Sequence, residues 1–129
     1  MNKLLRYWLP VLAWMSMIFY LSSQSRLPVE MPDWVPYVDK LAHAAVFGVL
    51  GLLFVRAWLE GRLEEINARV AGLAVSFTAL YGLTDEIHQI YVPGRSPSGG
   101  DLIADTLGAA ILCAALYKWK TREREAPTV

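Results

Sequence analysis

Residues 41–59 read LAHAAVFGVLGLLFVRAWL, a run in which only His43 and Arg56 carry ionisable side chains. At 1.5 Å per residue a bilayer core takes roughly 20 residues of helix, with about 17 as the lower limit, so this stretch is long enough to span. Upstream, residues 9–21 are apolar or small throughout. With residues 4–8 they make about 18 positions broken only by Arg6. Downstream, residues 70–83 form a third apolar run and residues 102–117, interrupted by Asp105, a fourth. The last two reach spanning length only by continuing into their polar ends, through residues 84–92 and from Asp101. The pattern predicts an all-α membrane protein with four transmembrane helices in an antiparallel bundle. A soluble bundle of unusually hydrophobic helices is the alternative.

Composition supports lipid as the solvent. Hydrophobic residues make up 55% of the 129 and charged residues 19%, below the roughly 25% of average soluble domains. Twelve basic residues balance twelve acidic ones, which removes any general argument for nucleic-acid binding. A single cysteine excludes an internal disulfide and a Cys/His zinc framework. The length fits one domain, expected over residues 1–120, with residues 121–129 a polar cytoplasmic tail that frays.

Topology follows from the loops. With four spans, nine basic residues (Lys3, Arg6, Arg56, Arg62, Arg69, Lys118, Lys120, Arg122 and Arg124) share one side, and only Arg26, Lys40 and Arg95 lie on the other. The basic side is cytoplasmic by the positive-inside rule, so both termini are expected in the cytoplasm. No small-x-small cleavage site follows Leu21, where the chain reads Ser22-Ser23-Gln24-Ser25, and the first span is read as an uncleaved anchor. Residues 26–37 carry Pro28, Pro32 and Pro36 with Trp34 and Tyr37, an outer loop with interfacial aromatics. Residues 60–69 make a short charged turn. Residues 93–100, PGRSPSGG, form a tight outer loop, with Asp101 a suitable N-cap for the fourth helix.

The remaining polar chemistry gathers at the outer helix ends. Ser22, Ser23 and Gln24 close the first helix; Asp39, Lys40 and His43 open the second; Asp85, Glu86, His88 and Gln89 end the third; Arg95 lies in the loop; Asp101 and Asp105 open the fourth. At 100° per residue Asp85, His88 and Gln89 fall within about a 100° arc, continued inward by Tyr81 and Thr78. Asp39, Lys40, His43 and Phe47 share a second face, and Asp101, Asp105 and Gly108 a third. Lipid does not tolerate such stripes, so they are expected to face inward around one water-filled outer cavity. Plainer readings exist for each. Asp39 and Asp101 serve equally as helix caps, Lys40 as a snorkelling residue, His43 as a satisfied polar group, and Glu86 as a solvated side chain off the stripe. Cys113, with no acid–base neighbour, reads as packing.

These residues resemble the VanZ-like family of small bacterial membrane proteins. The likeness rests on Ser22-Ser23-Gln24, Asp39-Lys40-x-x-His43-x-x-x-Phe47, Tyr81-Gly82-x-x-Asp85-Glu86-x-His88-Gln89, Val92-Pro93-Gly94-Arg95 and Asp101-x-x-x-Asp105-x-x-Gly108. It covers about four fifths of the chain in order and spacing. Where such proteins often carry Asn, this chain has Asp105. The resemblance implies a multi-pass protein of the bacterial inner membrane, in a family named for low-level resistance to the glycopeptide teicoplanin.

Two functions from different classes suit the residues. One is an enzyme acting on a lipid or lipid-linked envelope precursor at the outer leaflet. His43 or His88 is then general base or nucleophile, with Asp85 orienting it and Asp101 beside it. Lys40, Glu86, Gln89, Arg95, Asp105, Ser23 and Gln24 contact substrate, and Lys40 with Arg95 holds an anionic headgroup. A variant places a divalent metal on His43, His88 and one or two carboxylates. The other is a non-catalytic binder of a lipopeptide-like antibiotic or envelope lipid, with the Trp34/Tyr37 loop touching the ligand.

Overall fold

The computed structural model describes residues 2–25 and 37–126. It contains four long helices, α1 (Lys3–Ser22), α2 (Val38–Trp58), α3 (Ala68–Gln89) and α4 (Gly99–Glu125), with one 3-10 turn, Leu63–Glu65, between α2 and α3. Among the described residues there is no strand. Three helices, α1, α2 and α4, are long and apolar enough to cross a membrane. Helix α3 has the length, but its last turns go to Thr84, Asp85, Glu86, His88 and Gln89. Trp34 and the three prolines of the first connection lie outside the described residues.

Side-chain pairings fix the directions. Trp14 Nε1 donates to Val46 O (2.9 Å) and Trp8 packs edge-on against Phe54, so α1 and α2 are antiparallel. Tyr81 Oη donates to Met15 O (2.6 Å) and His88 stacks on Phe19, so α3 runs parallel to α1. Helices α2 and α4 also run parallel and approach most closely where small residues meet. A Cβ placed on Gly108 would lie 1.9 Å from Ala44 O, and one on Gly48 would lie 3.0 Å from Gly108 O. Such contacts hold helices together where lipid removes the hydrophobic drive between them. The interior carries Phe47, Leu50, Phe54, Val55 and Val70, while Leu9, Leu12, Leu80, Leu83, Ile103, Leu107 and Ile111 are exposed outside. An apolar outside combined with buried Asp85, Glu86, Gln89, Asp101 and Asp105 inverts the soluble arrangement.

Both described chain ends lie at the end of the bundle that carries the α2–α3 turn. Lys3 Nζ bonds Glu60 Oε2 (2.8 Å) and holds that exposed carboxyl below the usual carboxylate range, and Arg124 Nη2 donates to Ile66 O (3.1 Å). Helix α2 stops in a Schellman motif, in which Gly61 N donates to Arg56 O (2.9 Å) and Glu60 N to Ala57 O (3.2 Å), with positive φ at Glu60 and Gly61. Three expected boundaries move. Helix α4 continues to Glu125, with Lys120–Glu123 paired along it, so residues 121–125 are helical. Its N-cap is Ser98, whose carbonyl accepts from Asp101 N (2.9 Å), so Asp101 falls in the first turn with its carboxylate drawn to Lys40. The N-cap of α2 is Tyr37 rather than Asp39.

Candidate functional site

At the opposite end, the N-terminal turns of α2 and α4, the C-terminal turn of α3 and the α3–α4 loop enclose a cavity of about 350 Å³. Its polar lining is Asp39, Lys40, His43, Gln89, Arg95 and Asp101, completed by Ala42, Gly94, Ser96 and Ser98. Each residue arrives for a local reason. Lys40 and His43 are one turn apart on α2, and Lys40 bridges Asp39 (3.0 Å) and Asp101, joining the first turns of α2 and α4. His43 Nδ1 lies 2.9 Å from Asp105 Oδ1, and its ring stacks on Phe47 one turn deeper. Asp105 is fully buried, whereas His43 is partly exposed. The other ring nitrogen, Nε2, is turned toward Asp101 Oδ2 at 3.9 Å. A buried carboxylate on Nδ1 selects the Nδ1–H tautomer and leaves Nε2 as the basic edge on the side of the cavity.

The carboxylates of α3 do other work. Asp85 Oδ2 accepts from Gln89 Nε2 (3.1 Å), fixing the amide that reaches the cavity. Glu86 Oε2 accepts the backbone N–H of Ser98 (2.5 Å). It therefore acts across helices on the N-cap residue of α4, as a capping-box glutamate does within one. Arg95 donates through Nε to Gln24 O and through Nη2 to Leu21 O, both at 3.1 Å. The terminal carbonyls of α1 are thus satisfied by a cation from a distant loop, and Ser23 Oγ and Gln24 Nε2 cover Phe19 O and Tyr20 O. Among the described residues no carboxylate lies within ion-pair distance of Arg95.

The structure brings together Lys40, His43, Gln89, Arg95 and Asp101, and keeps other expected residues apart. His88 is on the far side of α3, stacked on Phe19 with ring centroids 4.4 Å apart, and not beside Asp101. The buried stripe of α3 runs through Thr78, Gly82, Asp85, Glu86 and Gln89. At 100° per residue, that face is turned about 50° toward Glu86 from the one expected. Gly82 is the cause: α4 approaches so closely there that a Cβ would lie 2.9 Å from Asp105 Oδ2. Glu86 is accordingly buried, not solvated. Asp85 sits behind Gln89 and does not orient His43; Asp105 does. Ser23 and Gln24 turn their side chains to their own helix, away from the cavity. Among the described residues no three His, Cys, Asp or Glu side chains form a metal-holding group, so the proposed metal set does not fit this geometry. The pairing of Asp105 with His43 escapes sequence reasoning because the two are 62 positions apart. Their signal is one shared depth, one turn below Lys40 and one turn below Asp101.

These features define a class: a small, all-helical, multi-pass membrane protein with a polar pocket at one end of its bundle. The chain belongs to the VanZ/LLP1 family, whose pattern it matches over residues 7–120. Comparison with curated proteins and with solved structures returned no match.

Proposed function

We propose that the chain is a four-span membrane protein with its termini in the cytoplasm, forming one domain over residues 1–120. In this reading its pocket works at the outer leaflet of the bacterial inner membrane on the anionic headgroup of a lipid or lipid-linked envelope precursor. The exposed apolar side of α3, with Leu80 and Leu83, supports α3 as the fourth span. The observation that carries the chemistry is the His43–Asp105 pair, one ring nitrogen held by a buried carboxylate and the other turned to a cavity flanked by Arg95. His43 serves as general base, taking a proton from water or a substrate hydroxyl through Nε2. Asp105 holds the tautomer and stabilises the imidazolium that results. Arg95, with Gln89, holds the anionic group. A link to teicoplanin resistance follows if the product alters the envelope target of the glycopeptide.

One observation favours the second reading, a non-catalytic binder of envelope lipid or lipopeptide-like antibiotic: Lys40 is already neutralised by Asp39 and Asp101. A single experiment separates the two. A glycopeptide-sensitive host expresses the wild-type chain, His43→Gln or Arg95→Gln, and teicoplanin susceptibility and envelope lipid composition are compared. The enzyme reading expects both variants to lose the phenotype and the lipid change. A phenotype that survives His43→Gln but not Arg95→Gln assigns the binder, and one that survives both removes the pocket from the account.

A further inference from the structure

Below the pocket, in the seam where α2, α3 and α4 meet, two buried oxygens stand without partners among the described residues. Asp105 holds His43 through Oδ1, while its Oδ2 is fully buried and unpaired. Thr78 is also fully buried, and its Oγ1 is unpaired. A threonine inside a helix ordinarily bonds back to the carbonyl one turn earlier, as Thr106 does to Leu102 O at 2.8 Å; Thr78 does not. Both atoms border glycine. A Cβ on Gly82 would lie 2.9 Å from Asp105 Oδ2, and one on Gly51 would lie 3.5 Å from Thr78 Oγ1. Gly82 stands one turn above Thr78 on the same face of α3, so the two oxygens border neighbouring turns of that helix.

We propose that a single bound water joins Thr78 Oγ1 to Asp105 Oδ2, and that Thr78 is a positioning residue for the His43–Asp105 pair. An orphan carboxylate oxygen and an orphan hydroxyl at membrane depth are each unfavourable, and one water satisfies both. With Oδ2 held from below, the carboxylate cannot rotate about its Cβ–Cγ bond, and Oδ1 stays on His43 Nδ1. Gly82 leaves the room that the carboxylate needs. The proposal rests on the reading of His43 and Asp105 as the acid–base pair, and it adds the element that sets their alignment from inside the bundle.

The test uses the full chain in lipid nanodiscs with 15N-labelled histidine, read by NMR at about pH 9, above the usual imidazole range. The chain has two histidines, and His88→Asn assigns them. Wild type is expected to show His43 as one Nδ1–H tautomer. Thr78→Val keeps the shape and removes the hydroxyl, and should convert His43 to a mixture of both neutral tautomers; Thr78→Ser should restore the single one. If Thr78→Val fails to insert, Thr78→Ala removes the same hydroxyl and is read in the same way. A wild-type tautomer that survives loss of the hydroxyl overturns this proposal and leaves the acid–base pair standing. Failure of Thr78→Ser to restore it also overturns the proposal. A mixture already present in wild type overturns both.

Discussion

His43 and His88 are the only histidines in the chain, and their surroundings separate them. His43 has a buried carboxylate on one nitrogen and the cavity beside the other. His88 has an aromatic ring against its face and a buried Nδ1 without a partner among the described residues. His88→Phe preserves the stack and removes the orphan nitrogen, so it should leave function intact and change stability by no more than about 1 kcal/mol, read from the thermal midpoint in detergent. At Asp105 hydrogen bonding and charge are separable by substitution. Asp105→Asn keeps an oxygen able to accept from Nδ1 and should retain part of the phenotype, whereas Asp105→Leu, with no acceptor, should abolish it while the protein still inserts. Equal loss in the two variants would place the weight on charge instead. The sequence shows that these residue types share a depth, but not which histidine meets which carboxylate. Asp85 and His88 look coupled because they are three apart on one helix. The deciding contact crosses from α2 to α4, and it depends on how far Gly82 lets α4 approach α3.

Among the elements, α1 and α2 are legible from their apolar length alone, because bilayer thickness sets it. The ends are less legible. Ser22-Ser23-Gln24 and Pro93-Gly94-Arg95 each stand out only as strings, yet they form one device, in which the loop arginine closes the carbonyl end of α1. Asp101 looks like a cap because aspartate suits caps; the lysine on α2 draws it away, and Glu86 secures the N-terminal end of α4 from α3. Two glycine substitutions test the packing. Gly108→Ala would drive a methyl into Ala44 O and should destabilise the α2–α4 pair by about 3 kcal/mol. Gly72→Ala meets nothing within 4 Å and should stabilise α3 by roughly 0.5–1 kcal/mol. Thermal unfolding of both purified variants checks the signs; a stable Gly108→Ala protein would mean that the helices cross elsewhere.

At the scale of the whole molecule, function depends on which side of the membrane the pocket faces. The nine basic residues that set the orientation belong to the end carrying the α2–α3 turn, and Ser96 lies at the other end, exposed at the cavity rim. Ser96→Cys in a Cys113→Ala background should react with a membrane-impermeant thiol reagent in intact spheroplasts, and Glu64→Cys only after lysis; the reverse pattern would invert the topology. With the pocket outward, it is expected to hold an anionic lipid headgroup for His43 to act on. Native mass spectrometry of the full chain from nanodiscs of phosphatidylcholine containing a polyprenyl phosphate tests this most directly. Wild type and His43→Gln should retain the phosphate lipid alike, and Arg95→Gln, which loses a charge-assisted contact worth about 1.5 kcal/mol, should retain roughly tenfold less. Equal retention by all three proteins, or binding no stronger than that of phosphatidylcholine, would contradict it.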